Sequence, residues 1–179
     1  MKKLSLDELG RIEPDQYKGL EKLPVVLVLD NVRSLHNVGS AFRTADAFLI
    51  DRVILTGITG TPPNREIHKT ALGATESVPW EHSPTTLAAV EKLKVLGYTV
   101  VVVEQTDESQ ALQHFEFSSS AKYALVFGNE INGVSDEVFP LADHALEIPQ
   151  AGSKHSLNVS VCLGVVVWSA FRQLKLKRL

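Results

Sequence analysis

Three stretches of this chain combine amides, carboxylates and cations in spacings that suit the binding and orientation of a polar ligand. The first runs from Asp30 to Arg43 and contains Asn37-x-Gly39-x-x-x-Arg43. Gly39 permits close backbone approach, Asn37 can cap a helix, and Arg43 follows about a turn and a half later, near a helix N-terminus that is itself a weak anion site. The second is Phe127-Gly-Asn-Glu-Ile-Asn-Gly-Val-Ser135, in which Gly128 and Gly133 bracket a turn that carries Glu130. The third, Glu147-Ile-Pro-Gln-Ala-Gly-Ser-Lys-His-Ser-Leu-Asn-Val-Ser-Val161, leads out of a strand through Pro149 and Gly152 into Ser156 and Asn158, which open a long apolar helix. Taken singly, each also reads as a capped helix, an Asn-Gly turn or an ordinary loop. No G-x-G-x-x-G follows the first strand, and no G-x-x-x-x-G-K-[ST] occurs.

The elements that must position these residues alternate. Apolar runs at 25–30, 52–56, 98–103, 123–127 and 145–148 predict strands, and those at 25–30 and 123–127 are continuous enough for strands buried on both faces. Helices are predicted over 40–48, 85–96 (stopped by Gly97) and 156–174, with a short one begun by Ser135 and acidic residues in its first turn. Alternation of this kind specifies an α/β fold, a mostly parallel sheet with helices on both faces. Ligands of such sheets lie outside the carboxyl ends of the strands, so the loops after Leu29, Val103, Phe127 and Ile148 are the places to look. Residues 1–23 read as a polar extension and 24–179 as one domain.

Composition narrows the class. With 179 residues the chain has room for one domain with a full core. A net charge of −3 argues against indiscriminate nucleic-acid binding but leaves local basic patches possible, with Arg33, Arg43, Arg65, Lys69, Lys154, Arg172, Lys175, Lys177 and Arg178 as candidates. The single cysteine, Cys162, excludes an intrachain disulfide and reads as structural. Neither a secretion signal nor a stretch long enough to cross a bilayer is visible, and a cytoplasmic protein without membrane attachment is the expectation. The six histidines show no metal-ligand spacing, and His155 beside Ser156 has no third group with which to form a triad.

In this order and spacing, Asn-x-Gly-x-x-x-Arg, Phe-Gly-Asn-Glu-x-x-Gly-Val and Ile-Pro-x-x-Gly-x-x-x-Ser-Leu-Asn-Val-Ser-Val resemble the three motifs of the SpoU (TrmH-type) branch of the SPOUT methyltransferases. The resemblance spans residues 24–173. It implies a fold with a deep trefoil knot near the C-terminus, built from 128–134 and 148–160. It also implies S-adenosylmethionine as cofactor, with no metal, and methyl transfer to a ribose 2′-hydroxyl of RNA, tRNA ahead of rRNA. The implied cofactor-binding residues are Glu104, Gln105, Gly128, Asn129, Glu130, Ile148, Pro149, Gln150, Ser156, Leu157 and Asn158. Gln150 departs from the methionine common at that place in the family.

The implied catalytic set is Arg43, Asn37, Glu130 and Asn158. Family members are proposed to use the arginine as a base. A guanidinium is effectively always protonated, so a second role suits it better: Arg43 positions a phosphate and stabilises developing negative charge. Two alternatives stand beside this reading, an RNA base methyltransferase of the same fold and a non-catalytic relative that binds cofactor or RNA. The final helix is apolar nearly all round, which predicts burial on more than one side and a homodimer as the natural cover. RNA contacts are expected from the catalytic domain, the N-terminal segment and the basic tail, 172–179.

Overall fold

A computed structural model describes residues 1–5, 8, 10, 12, 16–17, 19–154 and 156–176. Seven strands form one sheet: β1 Leu23–Asp30, β2 Ile50–Thr56, β3 Trp80–Ser83, β4 Tyr98–Val103, β5 Gln110–Ala111, β6 Lys122–Phe127 and β7 His144–Glu147. Their order is β3-β2-β1-β6-β4-β7-β5, and every neighbouring pair is parallel. The helices named among the described residues are α1 Leu35–Ala47, α2 Arg65–Ala71, α3 Ala74–Ser77, α4 Thr86–Val95 and α5 Val159–Leu174. Short 3-10 turns occupy Leu112–His114 and Asp136–Leu141.

The central strands are apolar at nearly every position because both faces are covered. Along β1, Val25, Leu27 and Leu29 enter the larger core with α1, α2 and α5, while Val26 and Val28 enter the smaller one under α4. β6 alternates in the same way, with Tyr123, Leu125 and Phe127 on one side and Ala124 and Val126 on the other. The expected α/β sheet with helices on both faces is what the chain forms. Tyr17 ties the segment before β1 to the larger core, and its hydroxyl donates to the Ala45 carbonyl at 3.3 Å.

Several boundaries differ from expectation, for local reasons. α1 starts at Leu35 rather than residue 40, because Ser34 caps it by accepting from the Asn37 amide at 3.3 Å. Asn37 is therefore inside the helix and does not cap it. α5 starts at Val159, not 156, with Asn158 as the cap: its side-chain oxygen accepts from the Ser160 amide at 2.9 Å. The turn after Ser135 is 3-10, and the Ser135 hydroxyl bonds to Asp30 instead of capping it. Edge strands β3 and β5 and helices α2 and α3 were not expected, although Asn64 caps α2 by accepting from the Glu66 amide at 2.9 Å. His155 and the tail residues Lys177 and Arg178 lie outside the described residues.

Candidate active site at the carboxyl edge of the sheet

The register aligns the strand ends. Asp30 pairs with Thr56, Leu29 with Phe127, and Val103 with both Phe127 and Leu146, so the following loops share one edge. The loops at 104–105, 128–134 and 148–158 enclose a cleft of about 660 Å³ there. Of the implied cofactor-binding residues, Glu104, Gln105, Gly128, Asn129, Glu130, Ile148, Gln150, Ser156, Leu157 and Asn158 line this cleft, and Pro149 does not. Val103, Phe127, Leu146 and Val159 add apolar wall. A volume of this size, with mixed walls, suits a nucleoside-sized ligand.

The second motif is rigid by construction. Asn129 and Gly133 exchange backbone hydrogen bonds at 3.1 Å each, and the Asn129 side-chain oxygen accepts from the amides of Ile131 and Asn132. A Cβ on Gly128 would fall 2.0 Å from the Gly133 carbonyl carbon, so any larger residue would open the turn. Gly133 takes φ +69, and its missing Cβ leaves room for the Glu104 carboxylate. That carboxylate accepts from the amides of Val134 at 3.2 Å and Gln105 at 3.0 Å. Glu104 thus braces the loop as well as lining the cleft.

Asn37 joins the three motifs. Its Nδ2 donates to Glu130 Oε1 at 2.8 Å, and its Oδ1 accepts from Asn158 Nδ2 at 3.2 Å. Asn158 is in turn fixed by capping α5, and its oxygen accepts from both the amide and the hydroxyl of Ser160. The result is a chain Glu130–Asn37–Asn158 at the cleft rim, made of residues 93 and 121 positions apart in sequence. Asn37 is buried, whereas Glu130 and Asn158 are exposed toward incoming ligand. Gly39 gives the close approach expected of it: a Cβ there would stand 2.0 Å from Thr70 Oγ1 and 2.3 Å from the Ile67 carbonyl on α2.

Arg43 stands apart. It is exposed on α1, lines no part of the cleft, and makes no hydrogen bond or ion pair with the described residues. Lys69 is held by Glu66 at 2.7 Å. Cys162 lines the cleft, and burial, reinforced by the charge of Glu104, pushes its thiol up to about 11. It is a neutral wall at physiological pH and not a nucleophile.

Sequence reasoning missed Asp30, which is fully buried beneath the site. Its carboxylate accepts from Asn31 Nδ2 at 2.8 Å, from the Thr86 hydroxyl, and from Ser135 through both the amide at 2.6 Å and the hydroxyl at 3.1 Å. The signal was a carboxylate ending an otherwise apolar strand. Such a group is buried only when donors surround it.

A parallel sheet whose carboxyl-edge loops fold into a braced turn and a capped helix, joined by one asparagine, forms a cleft with a polar rim and partly apolar walls. Residues 24–168 match the SpoU rRNA Methylase family, and the chain belongs to that family. It is 33% identical over 163 residues to the 23S rRNA (guanosine-2′-O-)-methyltransferase RlmB of Neisseria meningitidis serogroup B, covering 91% of this chain and 64% of that protein. The chain spans less than two thirds of the length of the curated relatives that it matches. Among solved structures, it superposes on the AdoMet-bound rRNA methyltransferase from Sinorhizobium meliloti with TM-score 0.80 and 28% identity, over 88% of this chain and 60% of that one. The A. aeolicus TrmH/SpoU tRNA modifying enzyme gives TM-score 0.82 and 26% identity, over 92% and 82% of the respective chains.

Proposed function

We propose that this chain binds S-adenosylmethionine in the 660 Å³ cleft and transfers its methyl group to a ribose 2′-hydroxyl of tRNA or rRNA. The observation that carries the reading is the Glu130–Asn37–Asn158 chain on the rim of that cleft, where it can hold a ribose beside the cofactor. The walls fit such a cofactor. Ile148, Leu146 and Leu157 offer apolar contact to a purine, and the loops offer strand-end backbone groups to its edge. When bound, it supplies a methyl group on a sulfonium, ready for displacement.

The chain's own residues align the nucleophile and stabilise the charge that develops on it. Glu130 spends one oxygen on Asn37 and keeps the other for a ribose hydroxyl. Asn158, locked as the α5 cap, keeps the third motif in place. Arg43, with no hydrogen-bond or ion-pair partner among the described residues, positions the neighbouring phosphate and stabilises charge developing on the 2′-oxygen. The strand order, with β6 between β1 and β4 and β7 beyond β4, supports the trefoil knot as the device that threads 148–158 past 128–134.

The ribose assignment is supported by the Neisseria relative, whose name specifies guanosine 2′-O methylation of 23S rRNA, and a tRNA substrate by the A. aeolicus structure. Calorimetry with S-adenosylhomocysteine is expected to show one site per chain. Tritium transfer to separated tRNA and rRNA from a strain lacking the gene should then place label in a 2′-O-methylnucleoside. Label in a methylated base would overturn the ribose reading, and binding without transfer would overturn the enzyme.

We further infer a homodimer. Val161, Val165 and Trp168 form an exposed apolar stripe on α5, preceded by the exposed Leu157 just before the helix, opposite the buried face of Leu163, Val166, Val167 and Ala170. Trp168 continues into an aromatic cluster with Phe48 and Phe171. Sedimentation at micromolar concentration is expected to give a dimer, and a monomer would contradict it.

A further inference from the structure

We propose that a second cleft, on the far side of the 129–133 turn from the cofactor cleft, receives an unstacked base of the RNA substrate, that of the methylated nucleotide or its neighbour. The proposal rests on the RNA-methyltransferase reading above and adds to it a site for the base. The cleft encloses about 800 Å³, and its working residues are Asn31, Arg33, Ile58, Asn132, Asp136 and Glu137.

Its floor is built rather than incidental. Asn31 takes a left-handed conformation, φ +53, so that its side chain can donate to Asp30 Oδ1 at 2.8 Å and accept from the Ile58 amide at 3.1 Å. Gly57, at φ +59, has no Cβ where one would fall 2.1 Å from Asn31 Oδ1. A leucine or alanine at Gly57 would force the loops after β1 and β2 apart. Thr59 strengthens the same clamp: its hydroxyl donates to the Leu29 carbonyl and accepts from the Val32 amide, both at 3.0 Å. Locked in this way, the loops present Arg33 and Ile58 outward, with Ile58 64% exposed.

Four of the side chains that line the cleft are unused by the fold. The side chains of Arg33, Asn132, Asp136 and Glu137 make no hydrogen bond or ion pair among the described residues. Two carboxylates against one guanidinium disfavour a phosphate. The same set suits a nucleobase: an arginine plane to stack on or donate, an isoleucine for the ring face, a carboxamide for either edge, and carboxylates for amino or ring N–H donors. Its position supports that occupant. Asn129, Asn132, Gly133, Val134 and Asp136 line both clefts, so a single turn separates base from cofactor. Arg33 precedes Asn37 by four residues, next to the group assigned to the ribose.

The test uses 5′-fluorescein pentaribonucleotides of A, C, G and U, and an abasic pentamer with the same backbone. Binding is followed by anisotropy with the full chain saturated with S-adenosylhomocysteine. At least one base-bearing pentamer is expected to bind about tenfold more tightly than the abasic one, the scale of losing one stacked base. The double variant R33A/I58A, altered at residues that line only this cleft, should lose that preference while its affinity for S-adenosylhomocysteine stays unchanged. Wild-type protein that does not distinguish the pentamers, including the case in which none binds, overturns the proposal. So does a double variant that keeps the preference. A variant that weakens all pentamers alike and flattens the salt dependence by about one charge would show a phosphate contact instead, and also overturns it. Methyl transfer by wild-type protein without base preference sinks this inference alone, and base preference without transfer sinks only the proposed activity.

Discussion

Arg43→Ala is expected to lower methyl transfer by about a thousandfold, the upper range for removing one preorganised charge-stabilising donor. Its affinity for S-adenosylhomocysteine should stay at the wild-type value. The separation follows from the placement of Arg43. Its helix is fixed by Val38, Ala41, Phe42 and Ala45, all buried, and by the tight contact of Gly39 with α2. The guanidinium makes no hydrogen bond or ion pair among the described residues and lies outside the cofactor cleft. Truncation therefore leaves no orphaned partner, and stability should change by no more than ~0.5 kcal/mol. Arg43→Lys keeps the charge but not the planar fork, so it should recover only part of the rate if two phosphate oxygens are held together. Single-turnover transfer and calorimetry on the same preparations decide the matter. Wild-type transfer by the alanine variant, or a loss of cofactor affinity matching the loss of rate, would remove Arg43 from the role assigned to it.

Much of this arrangement was legible in the sequence because its causes are local. The runs of β1, β4 and β6 are apolar at nearly every position, and only a strand covered on both faces needs that. α4 announces itself through Thr85, whose hydroxyl accepts from the Ala88 amide at 3.2 Å, and through Gly97 at φ +78. The edge strands were illegible for the complementary reason. β3 alternates between exposed and half-buried positions, and its Trp-Glu-His-Ser sequence carries no continuous apolar signal. The site divides along the same line. The loops could be located at the strand ends, and ten of the eleven residues implied by the family resemblance line the cleft, Pro149 being the exception. Their hydrogen-bond partners could not be located, because Asn37 meets Glu130 and Asn158 only after the sheet has formed. Asn37 was read as a cap since a carboxamide near a helix start usually is one. Ser34 performs that task, and the carboxamide of Asn37 is thereby released to join the motifs.

Asp30 is the strongest instance of a role that no local pattern reveals, and Asp30→Ala is expected to destabilise the chain by about 3–5 kcal/mol. The carboxylate is fully buried and gathers donors from three segments: Asn31 beside it, Thr86 at the start of α4, and Ser135 after the second motif. Deletion leaves the half-buried Ser135 amide without its acceptor beside the fully buried position, and each unsatisfied buried group costs about 1–3 kcal/mol. Thr86 loses less, because its hydroxyl also meets that of Thr56 at 2.6 Å. Asp30→Asn should recover little. Donors face both oxygens, so either orientation of the carboxamide turns an N–H toward a donor, and the backbone amide of Ser135 cannot rotate away. Ser135→Ala removes only the hydroxyl and should cost the least of the three. Urea denaturation of the set is expected to rank them Ala, Asn, then the Ser135 variant, with the first melting about 10 °C below wild type at the usual 2–4 °C per kcal/mol for a chain of this size. Because Ser135 closes the braced turn, cofactor affinity should fall with Asp30→Ala, whereas it survives Arg43→Ala. An Asp30→Ala protein that melts within two or three degrees of wild type would show that the buried carboxylate is not what anchors the second motif to β1.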